Sequence, residues 1–471
     1  MSFFEKYKKI FIVGIGGAGT SALARFLNSN NCKVFGSDGG YSGNLDNEKD
    51  ITIYKEHKDS NINGSFDLLV YSSAVLETNP ERQKAKELEI KELDYFEALG
   101  EISKEFNTIA ISGTNGKSTT TALTGILLSE TEFDSSVIVG AAVNGFGFNN
   151  NFRKGTTNNF VVEACEYRAH MLNIDPKIII LTNIEAEHLD YYRDINHIVD
   201  TFKQYVDKLI PNNGSLIYNA DDNNTKLVAE YFSSKSELKT LSFGIDNKAN
   251  IMAKNIEIKN EKQYFDLYFN DNKIEQLSLN VPGKFNISNL LGAISCFILL
   301  NNFILDEKVL NKIKETCSLF KGIERRFEIL NKNNKNNIIY ISDYAHNPYK
   351  IKATLSGVRD FYPTRRIVVI FEPHTYDRTK KLFKEFVESF IDFDVLILSE
   401  IYEPTGRDIY SDKSISSNDL LKEIKEIKGS NNKEYYFGEN LNKTKEIMNS
   451  VVKDNDLVLV MGAGKINKIL D

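Results

Sequence analysis

Cysteine is scarce in this chain: four residues, Cys32, Cys165, Cys296 and Cys317, in 471. They lie far apart with no C-x-x-C pair, which excludes a zinc knuckle and a disulfide framework and suits a reducing cytoplasm. No apolar run approaches the roughly 20 residues that cross a bilayer. The opening Met1-Ser-Phe-Phe-Glu-Lys-Tyr-Lys-Lys has no apolar leader segment, so the chain is expected in the cytoplasm with no membrane partner. Positive charge is not in excess. With 58 Lys and Arg against 65 Asp and Glu the net charge is −7, which argues against nucleic acid as a partner held by bulk electrostatics. There is no internal repeat of solenoid period, and the Asn/Lys-rich stretch 331–337 reads as a solvated loop. What remains is ordinary for a folded enzyme: 41% hydrophobic and 26% charged residues, at a length that suits two to four domains.

The stretch that organises the chain is Ile109-Ala-Ile-Ser-Gly-Thr-Asn-Gly-Lys-Ser-Thr-Thr-Thr121. A short apolar strand, Thr108 to Ile111, runs into Gly113-Thr114-Asn115-Gly116-Lys117-Ser118, and a helix-compatible run follows from Thr119 to Ser129. Strand, glycine loop and helix in that order suit a nucleoside triphosphate. Backbone N–H groups close around phosphate oxygens and the helix N-terminus adds its positive end. Lys117 offers a point charge for the outer phosphates, and the Ser118 hydroxyl a ligand for Mg²⁺. Ile111 stands where the longer P-loop pattern has glycine, so this is the short Gly-Thr-x-Gly-Lys-Ser/Thr form.

Before it, Ile10-Phe-Ile-Val13 is a buried strand, Gly14-Ile-Gly16-Gly17-Ala-Gly19 a turn, and Thr20 to Asn28 a helix; Lys33-Val-Phe35 then leads to Ser37-Asp38. Gly14, Gly16 and Gly19 with an acid about twenty residues on also fit a dinucleotide fingerprint, so an NAD-dependent oxidoreductase is a competing reading. Length opposes it: about a hundred residues leave room for one complete half of a dinucleotide fold and part of a second. A further strand, Asp67 to Tyr71, ends in Ser72-Ser73-Ala74, and an amphipathic stretch from Glu81 to Leu99 leads to a boundary near residue 105.

The second block alternates strands and helices. Phe160-Val-Val-Glu163 ends in an acid, and the apolar strand Lys177 to Leu181 runs into Thr182-Asn-Ile-Glu-Ala-Glu-His188-Leu-Asp190. Ligands of parallel sheets sit beyond the carboxyl ends of strands, so Glu163 and His188 belong to the same edge as Lys117. A meander-like stretch from Ser215 to Phe269 precedes Pro282-Gly-Lys-Phe-Asn-Ile-Ser-Asn289, which opens an apolar helix to Leu300. After Gly322-Ile-Glu-Arg-Arg326-Phe, strands at Ile338 to Ser342, Ile367 to Phe371, Val395 to Ser399 and Leu457 to Met461 form a second doubly wound pattern.

The order and spacing of these pieces resemble the Mur ligase family over essentially the whole chain. The matching motifs are the Gly14–Gly19 turn, Gly36-Ser-Asp38, Ser72-Ser-Ala, Gly113 to Thr119, Glu163-Ala-Cys-Glu166-Tyr and Thr182 to Asp190. They continue with Pro282 to Asn289, Arg325-Arg-Phe, Asp343-Tyr-Ala-His-Asn-Pro348 and Pro373-His-Thr-Tyr-Asp-Arg-Thr379. The resemblance implies three α/β domains: a Rossmann-like UDP-sugar domain (1–105), a P-loop ATPase-like central domain (106–324) and a Rossmann-like amino-acid domain (325–471). It implies ATP and Mg²⁺ as cofactors, UDP-N-acetylmuramate and L-alanine as substrates, and a monomer or weak homodimer. By resemblance, Gly16, Gly17, Gly19, Ser37, Asp38, Ser72 and Ser73 hold the sugar nucleotide. Gly113 to Thr119 and Asn289 would bind ATP, joined by Arg326 and Asp343. Ser118 and Glu163 would carry one Mg²⁺ and His188 a second. His346 would stand near the reacting groups, and His374, Arg378 and Tyr402 would receive the amino acid. Departures at Asn115, Ser118, Asn347 and Lys465, the last replacing an acid, bear on which amino acid is added. They keep a sister ligase, such as one that recycles murein tripeptide, as an alternative. A non-catalytic nucleotide sensor is the remaining rival.

Overall fold

The computed structural model describes residues 1–41, 43–330, 336–403, 414–428 and 432–470. Its strands form three sheets. The first holds β1 (Lys9–Val13), β2 (Lys33–Ser37), β3 (Ile51–Tyr54), β4 (Leu68–Tyr71) and β5 (Lys91–Asp94) in the order β3-β2-β1-β4-β5. All its pairings are parallel. This is one strand short of the six of a full dinucleotide fold, as length alone leads one to expect.

The second sheet contains β6 (Asn107–Ser112), β7 (Ser136–Ile138), β8 (Phe152–Arg153), β9 (Asn159–Glu163), β10 (Ile178–Leu181), β11 (Ser215–Asn219), β12 (Thr240–Gly244), β13 (Ile251–Lys259), β14 (Lys262–Phe269) and β15 (Asn272–Leu279). Its order is β15-β14-β13-β12-β11-β10-β6-β9-β7-β8. The P-loop strand β6 is therefore central, parallel to β10 on one side and β9 on the other. Ile109, Ala110 and Ile111 are almost wholly buried, as a strand covered on both faces requires.

The third sheet has β16 (Glu328–Leu330), β17 (Ile339–Asp343), β18 (Ile367–Glu372), β19 (Val395–Leu398), β20 (Glu434–Phe437) and β21 (Leu457–Gly462), ordered β16-β17-β21-β18-β19-β20. Only its β16 edge is antiparallel.

The chain groups into two compact units. One comprises 1–255, 265–277 and 285–316, the other 256–264, 278–284 and 317–471. Within the first unit, Phe26 of the helix Ala18–Ser29 packs against Phe106 and Phe160, with ring centroids at 5.8 and 5.0 Å. The same helix is pinned by polar contacts. Buried Arg25 donates to Glu48 Oε1 at 2.7 Å and Asn151 Oδ1 at 2.8 Å, while Asn151 Nδ2 donates to the Ala18 carbonyl at 2.5 Å. The glycine turn is thereby fixed against the central sheet. Among the described residues no helix is long and apolar enough to cross a membrane.

Three expectations need correction. The stretch from Glu81 to Leu99 is helix, strand and helix: Pro80–Glu87, β5 and Tyr95–Ser103. Glu89 turns to φ +53° and ends the first helix, and pairing with β4 then overrides the helix propensity of Lys91-Glu-Leu-Asp94. In the expected meander, β11 and β12 are parallel and joined by the helix Asn223–Lys235. Only β13 to β15 run as hairpins. Their two-residue turns, Asn260-Glu261 and Asn270-Asp271, have positive φ at both positions, the twist hairpins favour. Finally, β16 and β20 are extra edge strands of the third sheet. Of the Asn/Lys-rich stretch, 331–335 lie outside the described residues.

Candidate active site

Both glycine turns deliver a helix N-terminus without a side-chain cap. Gly116 is the N-cap of Lys117–Leu128, and Gly17 that of Ala18–Ser29. The helix at the P-loop begins at Lys117, two residues earlier than expected, because Gly116 takes the left-handed φ of +82°. The first N–H groups of a helix have no internal partner, so each turn presents donors to an anion.

The P-loop is held from below. Thr182 Oγ1 donates to the Asn115 carbonyl at 2.6 Å, and Asn183 Oδ1 accepts the Asn115 N–H at 2.9 Å. The Thr114 hydroxyl accepts the Glu185 N–H at 2.9 Å, and Asn115 Nδ2 donates to Glu185 Oε2 at 3.1 Å. Gly113, at φ +135°, would place a Cβ 2.2 Å from Thr182 Oγ1; at Gly116 a Cβ would meet Asn289 Oδ1 at 2.2 Å. Asn289 is buried in the helix Lys284–Leu300 and accepts from Thr120 at 3.4 Å. Thr119 is buried in the first turn after the loop.

Lys117 Nζ donates to the Gly113 carbonyl at 2.5 Å and the Thr114 carbonyl at 3.1 Å, and lies 2.7 Å from Glu166 Oε2. His188 Nε2 lies 3.5 Å from Glu166 Oε1. Glu166 thus joins two of the expected catalytic residues. Its signal in the sequence is its place three residues after Glu163. Burial pushes the Glu166 carboxyl up, but the Lys117 charge and the His188 hydrogen bond more than reverse this and hold it down at about 2. Burial likewise disfavours the Lys117 ammonium, and the Glu166 carboxylate raises it again.

A group whose folded pKa lies below its unfolded value stabilises the fold above the unfolded value and loses that effect as pH falls. Stability is therefore expected to drop as pH falls from about 4.5 toward about 2, and a Glu166→Gln variant should lack that part of the drop. Denaturant midpoints measured across this range check it. An identical acid profile in both proteins would contradict the pairing.

Ser118 Oγ donates to Glu163 Oε2 at 3.1 Å, and Glu163 Oε1 accepts the Gly140 N–H at 2.5 Å. A hydroxyl and a carboxylate at the foot of a phosphate loop suit Mg²⁺, which takes one or two protein oxygens and completes its shell with water and phosphate. No group of three or more His, Cys, Asp or Glu side chains among the described residues forms a metal cage. The Ser118 and Glu163 oxygens fit a metal whose remaining ligands are water and phosphate. His188 stands on the Glu166 side of the cluster, in a left-handed conformation with φ +58°.

At the first glycine turn, Asp38 Oδ2 accepts the Gly16 N–H at 3.0 Å and Oδ1 the Gly40 N–H at 2.8 Å. Ser72 lies beside Gly14, where a Cβ would approach its own Cβ to 3.1 Å, and Ser73 is exposed. Two residues expected at the sugar nucleotide have close contacts within the protein. Ser37 is fully buried and donates to Glu81 Oε2 at 2.5 Å, with His57 Nδ1 at 2.9 Å from both groups. Gly19 makes room for Tyr95, whose ring carbon would sit 2.6 Å from a Cβ there. A Cβ at Gly16 would meet Asp38 Oδ2 at 2.8 Å, and one at Gly17 would meet Thr20 Oγ1 at 2.9 Å. His57, placed at this edge by its contact with Ser37, was not foreseen.

In the second unit, His374 and Tyr402 are bridged as neighbouring strand ends. Thr375 N–H donates to the Tyr402 carbonyl at 2.9 Å, and the two rings are 5.8 Å apart. His346 lies 6.1 Å from the His374 ring and has its Nδ1 2.7 Å from the Tyr344 carbonyl. Burial, with the charges of Lys350 and Arg378, pushes His346 well below the usual histidine range. Arg378 sits on the short helix Tyr376–Lys381, capped by Thr375. Asp343 accepts the N–H groups of Phe327 and Ala345, both at 2.8 Å. Burial raises its carboxyl and these donors oppose the rise. Arg326 stacks near Tyr344, 5.5 Å from the ring centroid.

Three family models match in sequence along the chain: Mur ligase family, catalytic domain (9–107), Mur ligase middle domain (111–297) and Mur ligase, glutamate ligase domain (325–464). The chain is 40% identical over 468 residues to the UDP-N-acetylmuramate–L-alanine ligase of Clostridium perfringens, covering 98% of this chain and 96% of that one. It is 37% identical over 471 residues to the enzyme of the same name from Borreliella afzelii, covering 98% and 97%. Among solved structures, the UDP-N-acetylmuramate–alanine ligase of Thermotoga maritima superposes with a TM-score of 0.80 at 26% identity over 98% of this chain and 97% of that one. With its P-loop cluster, its three α/β domains and these matches over nearly its whole length, the chain belongs to the Mur ligase family.

Proposed function

We propose that this amide-forming ligase joins L-alanine to UDP-N-acetylmuramate at the expense of ATP, through an acyl phosphate on the lactoyl carboxylate, in peptidoglycan precursor synthesis. The observation that carries the reading is the Lys117–Glu166–His188 and Ser118–Glu163 cluster on the P-loop, in a chain similar over its length to enzymes of that name. Phosphoryl transfer to a carboxylate brings several anions together, so the protein's task is positioning and charge neutralisation. Lys117, fixed by two carbonyls and Glu166, is a cation already aimed along the loop. Ser118 and Glu163 would hold Mg²⁺, which supplies Lewis-acid neutralisation of phosphate charge. The uncapped helix at Gly17 offers its N–H groups to the diphosphate of the sugar nucleotide, with Asp38 and Ser72 beside it. The four free thiols, dispersed through the fold, suit a reducing cytoplasm.

The amino acid is assigned to His374, Arg378 and Tyr402, where a guanidinium can receive a carboxylate. A pocket of this kind separates side chains differing by one methylene only by roughly 1–3 kcal/mol. Phosphate release measured over an amino-acid panel should rank L-alanine first, with slower turnover of serine and glycine. A preference for D-glutamate or a diamino acid would move the chain to a sister ligase.

A further inference from the structure

Glu372 closes β18, in register with Gly462 of β21. It is only 4% exposed, and its Oε2 makes no hydrogen bond. That oxygen faces the turn after β21. A Cβ added to Gly464 would lie 2.0 Å from Oε2 and 2.5 Å from the Tyr402 ring. The acid that the family resemblance leads one to expect at Lys465 is absent, and Glu372 brings a carboxylate to the same turn. The charged and titratable groups around it are Arg325, whose guanidinium donates to the Gly462 carbonyl, together with Lys465 and Tyr402; the His374 ring lies beyond, 5.8 Å from that of Tyr402. An unsatisfied buried carboxylate oxygen is costly, and this one stands at the carboxyl end of a parallel strand, where ligands of such sheets bind.

We propose that Glu372 receives the ammonium group of the incoming amino acid and accepts one of its protons; this rests on the ligase reading above. The ammonium gives one proton to the Glu372 carboxylate. The freed nitrogen pair forms the C–N bond to the acyl carbon, and the C–O bond to phosphate breaks with its electron pair leaving on phosphate. The second proton departs from nitrogen to that phosphate, so the amide keeps one N–H. Burial lifts the Glu372 carboxyl to about 7, against the pull of the Lys465 and Ile466 N–H groups and the Arg325 and Lys465 charges. A base with such a value is matched to proton transfer near neutral pH.

The test compares the intact wild-type chain with Glu372→Gln, using ATP, UDP-N-acetylmuramate and either L-alanine or hydroxylamine. Hydroxylamine is largely uncharged at neutral pH and needs no base. Alanine turnover in the variant should fall on the order of a hundredfold, while hydroxamate formation stays within about threefold of wild type. The alanine defect should also shrink by about tenfold per pH unit above neutrality, as free amine accumulates. Unchanged alanine turnover, equal loss with both nucleophiles, or a defect independent of pH would each overturn the assignment. If wild type turns over neither nucleophile, the ligase reading falls first and takes this proposal with it.

Discussion

Lys117→Ala is expected to lower ligase turnover by on the order of a hundredfold or more, the usual worth of a charge clamp that acts in the transition state. The side chain is held by the Gly113 and Thr114 carbonyls and by Glu166, so its charge stands at the loop before phosphates arrive. The same change leaves Glu166 buried without its main counter-charge, and burial should then push the orphaned carboxyl up. Thermal melting separates this from unfolding: the variant should remain folded at neutral pH while turnover under saturating substrates collapses. Glu163→Ala should have a loss of similar size, because it removes the partner of Ser118. Ordinary turnover in either variant would remove that residue from the site.

Gly116→Val should be the most damaging single substitution at the loop. The position has φ +82°, and an added Cβ would meet Asn289 Oδ1 at 2.2 Å. A non-glycine residue in the left-handed region costs roughly 1–2 kcal/mol, more when it is β-branched, and the clash adds to this. The helix Lys117–Leu128 would have to tilt or Asn289 withdraw, and either movement takes the loop N–H groups off the phosphates. ATP affinity by titration calorimetry should fall at least about tenfold, with a lower melting temperature. Gly64→Val is the matched control. A Cβ there meets nothing within 4 Å, so its effect should stay within about 0.5 kcal/mol.

The phosphate loop was legible in sequence because its chemistry leaves few choices. Only glycine serves at Gly113 and Gly116, and the apolar strand before them and the helix after them have clear patterns. Glu163 was legible for a similar reason, ending a strand whose carboxyl edge must face the ligand. Glu166 was not, although it is the residue that joins Lys117 to His188. It lies just past the strand in an irregular turn where Arg168 and Ala169 take φ values of +49° and +57°, and no local propensity signals such a conformation. Ser37 illustrates the opposite case. Gly-Ser-Asp looks like a ligand edge, yet the serine points into the protein toward Glu81, because strand alternation puts Ser37 and Asp38 on opposite faces. The edge strands β5 and β20 are rich in Lys, Glu and Tyr, and were hidden because sheet pairing rather than composition makes them strands. Glu372 could be read only as a strand end; its unsatisfied oxygen is a property of packing.

The central claim is that ATP activates a substrate carboxylate before the amine attacks. Its most direct test labels the lactoyl carboxylate of UDP-N-acetylmuramate with ¹⁸O and follows the label, with ATP and L-alanine present, by mass spectrometry. Transfer through an acyl phosphate predicts one ¹⁸O in each phosphate released, and an alanyl product that has lost one labelled oxygen. Unlabelled phosphate, or phosphate released without an amide product, would contradict the account.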